Sequence, residues 1–308
     1  MKTVLITGAT DGIGKQTAIN IAKKGHHIIF VGRSEQKCKT TQTEIIKSTS
    51  NKNIDYFSYD LSLISENKLL SIDIQKNYPK LDILINNVGA LFLKREITNE
   101  GLEKTFALNH LGPFCLTLEL LDLLNKSKNG RIINVSSAAH YNIIEERIKK
   151  ENNRSFIEKK MFRAKFNIND LQCNQNYKGG HQYSRTKLMN VLFTYKLANS
   201  YLKDTQLSVN CLHPGFVASK FGHNNTGIFR NILKFAQKVK AISLKDGSKS
   251  TTFLALSKKV QNISGKYFDE DCSLKKSSDL SYNKDLQDSL WEKSSKLKDS
   301  LIPENFTS

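Results

Sequence analysis

The chain has no apolar run of roughly 18 residues, so no transmembrane helix is expected. Cysteine is sparse. Cys38, Cys115, Cys173, Cys211 and Cys272 form no C-x-x-C pair, and five is an odd count. This argues against a zinc site or a disulfide framework and for a reducing compartment. Met1 to Thr7 leaves no room for a signal peptide before a glycine-rich turn, so a cytoplasmic location is the expectation. No repeat or linker interrupts the 308 residues, which reads as one domain. Negative charge is also short, with 29 Asp and Glu against 47 Lys and Arg. The net charge of +18 is that of a solvated basic surface, or of one that attracts an anionic cofactor or membrane. No nucleic-acid partner is expected, because the basic residues are dispersed and no binding module is present.

What the sequence does contain is alternation. Strand-like Val4–Ile6, His27–Val31, Ile54–Tyr59, Leu81–Asn86, Arg131–Val135 and Leu207–Leu212 are apolar runs. Between them lie helical patterns over 13–24, 35–47, 62–76, about 101–125 and about 183–201. Short, continuously apolar strands between amphipathic helices indicate a parallel sheet covered on both faces, and right-handed crossovers make it doubly wound. A further helix over about 283–299 is expected to dock through Leu286, Leu290, Trp291 and Leu297.

Gly8, Thr10, Asp11, Gly12, Ile13 and Gly14 fall between the first strand and the first helix, with the glycines in G-x-x-x-G-x-G spacing. Glycine permits the tight turn and close backbone approach, and the helix N-terminus beyond it favours a pyrophosphate. A dinucleotide site is the reading. At the end of the second strand, the carboxylate that would favour NAD is absent, and Arg33 and Ser34 stand in its place. Arg33 suits a 2′-phosphate, so NADP(H) is the preferred cofactor and NAD(H) the alternative. An Asp at Gly32 with Arg33 neutralised should reverse that preference. Asp60 and Leu61 follow the third strand on the adenine side. Asn87 and Gly89 follow the fourth, where Gly89 admits the cofactor and Asn87 pins strand to loop.

Tyr183-x-x-x-Lys187 places two side chains on one helix face, one turn apart. Together with the glycine motif, Asn86-Asn87-Val88-Gly89, Asn109, Ser137 and Pro214-Gly215, in this order, the chain resembles the short-chain dehydrogenases/reductases. Asn109-His110-Leu111-Gly112, Ser136-Ser137-Ala138-Ala139-His140 and Leu212-His213-Pro214-Gly215 are similar to the retinol dehydrogenase branch. The resemblance implies a doubly wound Rossmann-type α/β domain over 1–308 with a parallel seven-stranded sheet. It also implies Tyr183 as general acid/base, Lys187 as its activator and ribose ligand, and Ser137, rather than Ser136, holding the substrate oxygen. Asn109 would support a water relay to Lys187, and Pro214, Gly215 and Val217 would face the nicotinamide. A free tyrosine has a pKa of about 10, and reaching about 7 requires roughly 4 kcal/mol. A cation about 5 Å away supplies on the order of 3 kcal/mol at an effective dielectric of 20, so Lys187 is expected to lower Tyr183.

The expected substrate is a small apolar alcohol or carbonyl compound, such as a retinoid, steroid or lipid aldehyde. The alternative is a non-catalytic NAD(P)-binding regulatory module. Residues 216–242 are expected to form a lid. Within them, 228–242 has an apolar face of Ile228, Phe229, Ile232, Leu233, Ala236 and Val239 and a basic opposite face, which suits a pocket cover or peripheral membrane contact. The branch often carries an N-terminal anchor, and this sequence begins at its first strand. The basic excursion 145–166, with eight Lys and Arg against four Glu, widens the gap between Ser137 and Tyr183 to 46 positions and is read as a surface insertion. The helices at 101–125 and 183–201 are candidates for pairing in a homodimer.

Overall fold

The computed structural model describes residues 1–144, 164–217 and 242–302. Seven parallel strands form one sheet in the order β3-β2-β1-β4-β5-β8-β9. They are β1 (Thr3–Thr7), β2 (His27–Gly32), β3 (Ile54–Ser58), β4 (Ile83–Asn86), β5 (Arg131–Val135), β8 (Ser208–Leu212) and β9 (Lys266–Phe268). The order reverses between β1 and β4, which opens a crevice at the carboxyl ends of these strands. The expected doubly wound α/β sheet is therefore present.

Side-chain alternation along each strand feeds two cores. Val4, Ile6, Ile28, Phe30, Ile83 and Ile85 pack under α1 (Gly12–Ala22) and α2 (Glu35–Thr49) with Ala18, Ile21 and Ile45. Leu5, Ile29, Leu84, Ile132 and Val209 face the other way. They meet Leu70 and Ile74 of α3 (Ile64–Asn77), Phe106 and Phe114, and Leu188 and Leu192. Each fully buried side chain of this size contributes about 1.5–3 kcal/mol.

Three local departures from the expected pattern have physical reasons. The helix expected over 101–125 is broken into α4 (Lys104–Phe106), a π-turn (Ala107–Leu111), α5 (Gly112–Glu119) and α6 (Leu121–Asn125). Hydrophobic periodicity does not reveal a π-turn, because one extra residue per turn leaves the apolar run unbroken. The helix bearing Tyr183 begins four residues earlier than expected, as α7 (Gly179–Lys196), and its end is a second π-turn (Leu197–Tyr201). A Cβ on Gly179 would lie 2.2 Å from the Phe92 carbonyl oxygen, so glycine allows that start. The excursion closes at its base: Ile143–Ile144 (β6) pairs in parallel with Ala164–Lys165 (β7). Most of that excursion (145–163), most of the expected lid and nearly all of the amphipathic 228–242 segment lie outside the described residues.

Beyond β8 come α8 (Leu244–Gly247), α9 (Lys249–Leu256), β9 and the C-terminal α10 (Lys284–Leu301). The last docks as its pattern implied. Trp291 stacks on Tyr201 at 4.0 Å and meets Phe114 and Phe193 at 5.1 and 5.9 Å. Ion pairs Lys298–Glu119 (3.1 Å) and Lys196–Asp288 (2.5 Å) flank this contact. Thus α10 packs against α7 and touches α5 through Phe114 and Glu119, on the helices expected to pair between two copies.

Candidate active site

The glycine turn is built on backbone that glycine favours: Gly8 has φ +67° and Gly12 φ +58°. Asp11 caps α1 by accepting from Gly12 N at 2.7 Å. Thr10 is half-buried against β2, and Ile13 is half-buried on the first turn of α1. A Cβ on Gly14 would stand 2.4 Å from Asn87 Nδ2 and 2.6 Å from the Gly8 carbonyl oxygen. That closeness exists because Asn87 Nδ2 donates to the carbonyls of Thr7 (2.9 Å) and Gly8 (3.2 Å). The Thr7 hydroxyl accepts in turn from the backbone N–H of Asn87 and Val88 at 3.0 and 3.1 Å. Strand β4 thus clamps the glycine turn through Asn87 and through Thr7, which sequence reasoning passed over.

At the end of β2, Arg33 is exposed and makes no hydrogen bond or ion pair among the described residues. Ser34 caps α2, its hydroxyl accepting from Lys37 N at 3.4 Å. Gly32 cannot take an Asp without rearrangement, since its Cβ would lie 2.3 Å from Thr10 Cγ2 and 2.7 Å from Cys38 Sγ. The exchange of Gly32 suggested by the sequence is therefore a poor test of cofactor preference. Asp60 Oδ1 accepts from Ser62 N (3.0 Å) and Oγ (2.7 Å), and Leu61 is buried in the core. These two residues follow β3 at its carboxyl end, with the Asp60 carboxylate occupied in shaping its own turn.

Tyr183, Ser137, Lys187 and Asn109 come together at the carboxyl ends of β4 and β5. Tyr183 and Lys187 are buried, with Lys187 Nζ 5.5 Å from the Tyr183 ring centroid. Nζ donates to the Val135 carbonyl at 3.0 Å. A Cβ on Gly89 would lie 3.3 Å from Lys187 Nζ and 3.4 Å from Asn109 Oδ1, so a single methyl would enter the space these two groups share. Asn109 is fixed by the π-turn: Oδ1 accepts from Ala90 N (2.8 Å), and Nδ2 donates to the Ala90 carbonyl (2.9 Å) and Thr186 Oγ1 (3.1 Å).

The two serines differ in kind. The Ser136 hydroxyl is buried and donates to the Lys187 carbonyl at 2.8 Å. Ser137 turns its hydroxyl toward the site, accepts from Ala139 N at 3.2 Å and hydrogen-bonds Tyr183. His140 braces this loop, with Nδ1 2.7 Å from the Ser137 carbonyl and Nε2 accepting from Ser278 N at 3.2 Å. Buried Glu103 anchors the approach to α7 by accepting from Gln182 Nε2 (2.9 Å), Thr105 N and Phe106 N (both 2.8 Å). His140 ends the segment 136–140 that carries the resemblance, but its bracing role is set by Ser278 from a distant part of the chain, and Glu103 stands in no such segment.

Electrostatics reverse one expectation. Burial pushes the Tyr183 phenol up to about 12, against the lowering effect of its Ser137 hydrogen bond. Burial likewise pushes the Lys187 ammonium down to about 8. The lysine is aimed at the Val135 carbonyl, and desolvation outweighs its attraction for the phenolate. At neutral pH Tyr183 therefore holds its proton.

Pro214, Gly215 and Val217 follow the carboxyl end of β8. Gly215 has φ +83°, Val217 bridges to Ile242, and exposed Phe216 projects between them. The left-handed glycines, the N-terminus of α1, the space over Gly89 and the exposed Arg33 are together the cradle that a dinucleotide requires.

Comparison with known proteins agrees with this geometry. Residues 2–146 match the family described as short chain dehydrogenase. Human retinol dehydrogenase 13 is 33% identical over 276 residues, covering 87% of this chain and 76% of the relative. Human polyprenol dehydrogenase is 30% identical over 306 residues, covering 95% and 84%. A short chain dehydrogenase from Shigella flexneri, solved with NADP, shares the fold with a TM-score of 0.62 at 23% identity, covering 88% of this chain and 97% of that one.

Proposed function

This chain belongs to the short-chain dehydrogenase family of oxidoreductases, and from that premise we propose that it is an NADP(H)-dependent reductase of an apolar carbonyl compound. The observation that carries the reading is the convergence of Tyr183, Ser137, Lys187 and Asn109 around the space over Gly89. Exposed Arg33, with no described partner and no acid nearby on β2, supports binding of a 2′-phosphate. The NADP in the Shigella flexneri protein is consistent with it. Retinol and polyprenol, in the names of the relatives, are apolar alcohols, and Phe216, exposed beside the Pro214–Gly215 turn, suits a substrate of that class.

When bound, the nicotinamide cofactor supplies the hydride. The chain supplies the rest. Ser137 Oγ and Tyr183 Oη hold the carbonyl oxygen, and Tyr183 Oη delivers its proton there as negative charge develops. With the phenol raised to about 12, that proton is in place at neutral pH. The charged form of Lys187 stabilises the phenolate left behind. Asn109, locked by Ala90 and Thr186, fixes the π-turn beside Lys187 and moves no proton itself. A binding module without turnover has no use for Ser137 and Tyr183 in hydrogen-bonded contact, which favours the enzyme over that alternative.

The direct test is a panel of aldehydes and ketones, assayed with NADPH and NADH in parallel. The reading predicts turnover of apolar carbonyls with NADPH ahead of NADH. No oxidation of either cofactor across the panel would refute it.

A further inference from the structure

The turn that closes the nicotinamide side is held by a histidine. Gly215 N donates to His213 Nδ1 at 3.0 Å, and His213 Nε2 lies 2.8 Å from Asp269 Oδ1. An imidazole that accepts at Nδ1 carries its proton on Nε2, so the neutral Nε2–H tautomer satisfies both contacts at once. The backbone repeats the connection, because His213 N donates to the Phe268 carbonyl at 3.1 Å and ties the turn to β9. Asp269 is held in turn by Lys275. Only 12% of the His213 side chain is exposed, and Gly215 takes a left-handed conformation that this hydrogen bond steadies.

We propose that His213 is a positioning residue for the reaction: its neutral tautomer holds the Pro214–Gly215 turn against the cofactor, and a proton added at Nδ1 releases that turn in acid. The proposal rests on the dinucleotide reading of the preceding subsection. A protonated Nδ1 would point a donor at the Gly215 N–H, replacing an acceptor with a second donor.

The surroundings fix the direction of the response. Burial lowers His213 most. Asp269 and Glu270 raise it, Lys275 lowers it, and the net result lies below the ordinary imidazole value. Packed against Pro214 and Val217, α8 carries Lys245 and Asp246, the latter engaged with Ser243 and Lys249. At neutral pH the ring is therefore neutral and the turn held, and release falls on the acid side of pH ~6.5.

Two measurements on the full chain test this. The first is hydrogen exchange of the Gly215 amide from pH ~5 to ~8, after correction for intrinsic exchange rates. Protection is expected at neutral pH and should be lost in acid. The second is NADPH affinity over the same range in the wild type and in His213→Asn. The asparagine oxygen can accept from Gly215 N in place of Nδ1 but does not titrate. The wild type is expected to lose about fivefold or more in affinity on acidification beyond the loss seen in His213→Asn. The 2′-phosphate titrates in both proteins, so the difference between them is the readout. Equal acid losses in the two proteins, or unchanged Gly215 protection in acid, would overturn the role of His213. Failure of the wild type to bind NADPH even at neutral pH would instead overturn the reading beneath it.

Discussion

Replacing Gly14 by alanine should damage the protein through Asn87, and the size of the effect can be worked from two contacts. The new methyl would stand 2.4 Å from Asn87 Nδ2, which must move by about 1 Å to reach ordinary contact. A shift of that size breaks both bonds from Nδ2, to the carbonyls of Thr7 and Gly8. Each such bond is worth about 1 kcal/mol net, so their loss costs about 2 kcal/mol. The methyl also stands 2.6 Å from the Gly8 carbonyl oxygen, which is backbone and yields less readily. A further 1 kcal/mol or more of overpacking is expected from that contact. Asn87→Ala alone should cost about 2 kcal/mol for the same two bonds. The double variant should then cost less than the sum, by about 1–2 kcal/mol, because the bonds cannot be lost twice. Urea denaturation of the four proteins of the cycle measures this coupling. Costs that add to within about 0.4 kcal/mol would show that Gly14 and Asn87 act independently, and the clamp between β4 and the glycine turn would have to be abandoned.

Other expectations follow from single side chains. Arg33→Ala should weaken NADPH binding about tenfold or more, leave NADH nearly unchanged and keep stability within about 0.5 kcal/mol, since Arg33 is exposed; parallel titrations with both cofactors decide this. Lys187, with its pKa at about 8, is charged below that pH and neutral above it, so kcat/KM for carbonyl reduction should hold below pH 8 and fall above it; a profile flat to pH ~10 would remove Lys187 from the chemistry. In stability the sign is opposite: the folded state binds fewer protons than the unfolded between about 8 and 10.5, so Lys187 alone makes stability rise with pH across that window, which chemical denaturation at several pH values can follow. Ser137→Ala should lose most turnover at near-native stability, whereas Ser136→Ala should lose about 1 kcal/mol of stability through its bond to the Lys187 carbonyl, and reversed behaviour would exchange their roles. Trp291→Ala should cost about 3 kcal/mol by removing its ring contacts to Phe114 and Phe193, which urea denaturation measures; an unchanged midpoint would show that α10 does not dock through Trp291.

The strands, the glycine turn and the tyrosine–lysine pair were legible because each rests on local pattern: five-residue apolar runs, glycine spacing and an i, i+4 offset. Less was legible where two distant segments meet. The π-turn that presents Asn109 leaves no trace in an apolar stretch that continues through it. β9 is three residues long with a lysine at its head, too short for a period to register. Glu103 looks like an ordinary polar residue until Gln182 is brought to it, and His140 and His213, though they stand in segments that carry the resemblance, gain their roles only when Ser278 and Asp269 arrive from elsewhere in the chain. The sign of the Tyr183 shift was hidden for a related reason. Distance to Lys187 can be estimated from helix geometry, but the cost of burying both groups depends on walls contributed by β4, β5 and the Ser137 loop. Desolvation, the larger effect, is a property of the assembled site.

The central claim is that Tyr183 is the proton donor of an NADP(H)-dependent reductase. Tyr183→Phe removes one hydroxyl from a buried ring and leaves the glycine turn, Arg33 and Lys187 in place. Measured with an apolar carbonyl substrate and NADPH, this variant should bind NADPH within about threefold of the wild type and lose at least about a hundredfold in kcat. Turnover close to the wild-type rate, with NADPH bound, would contradict the assignment.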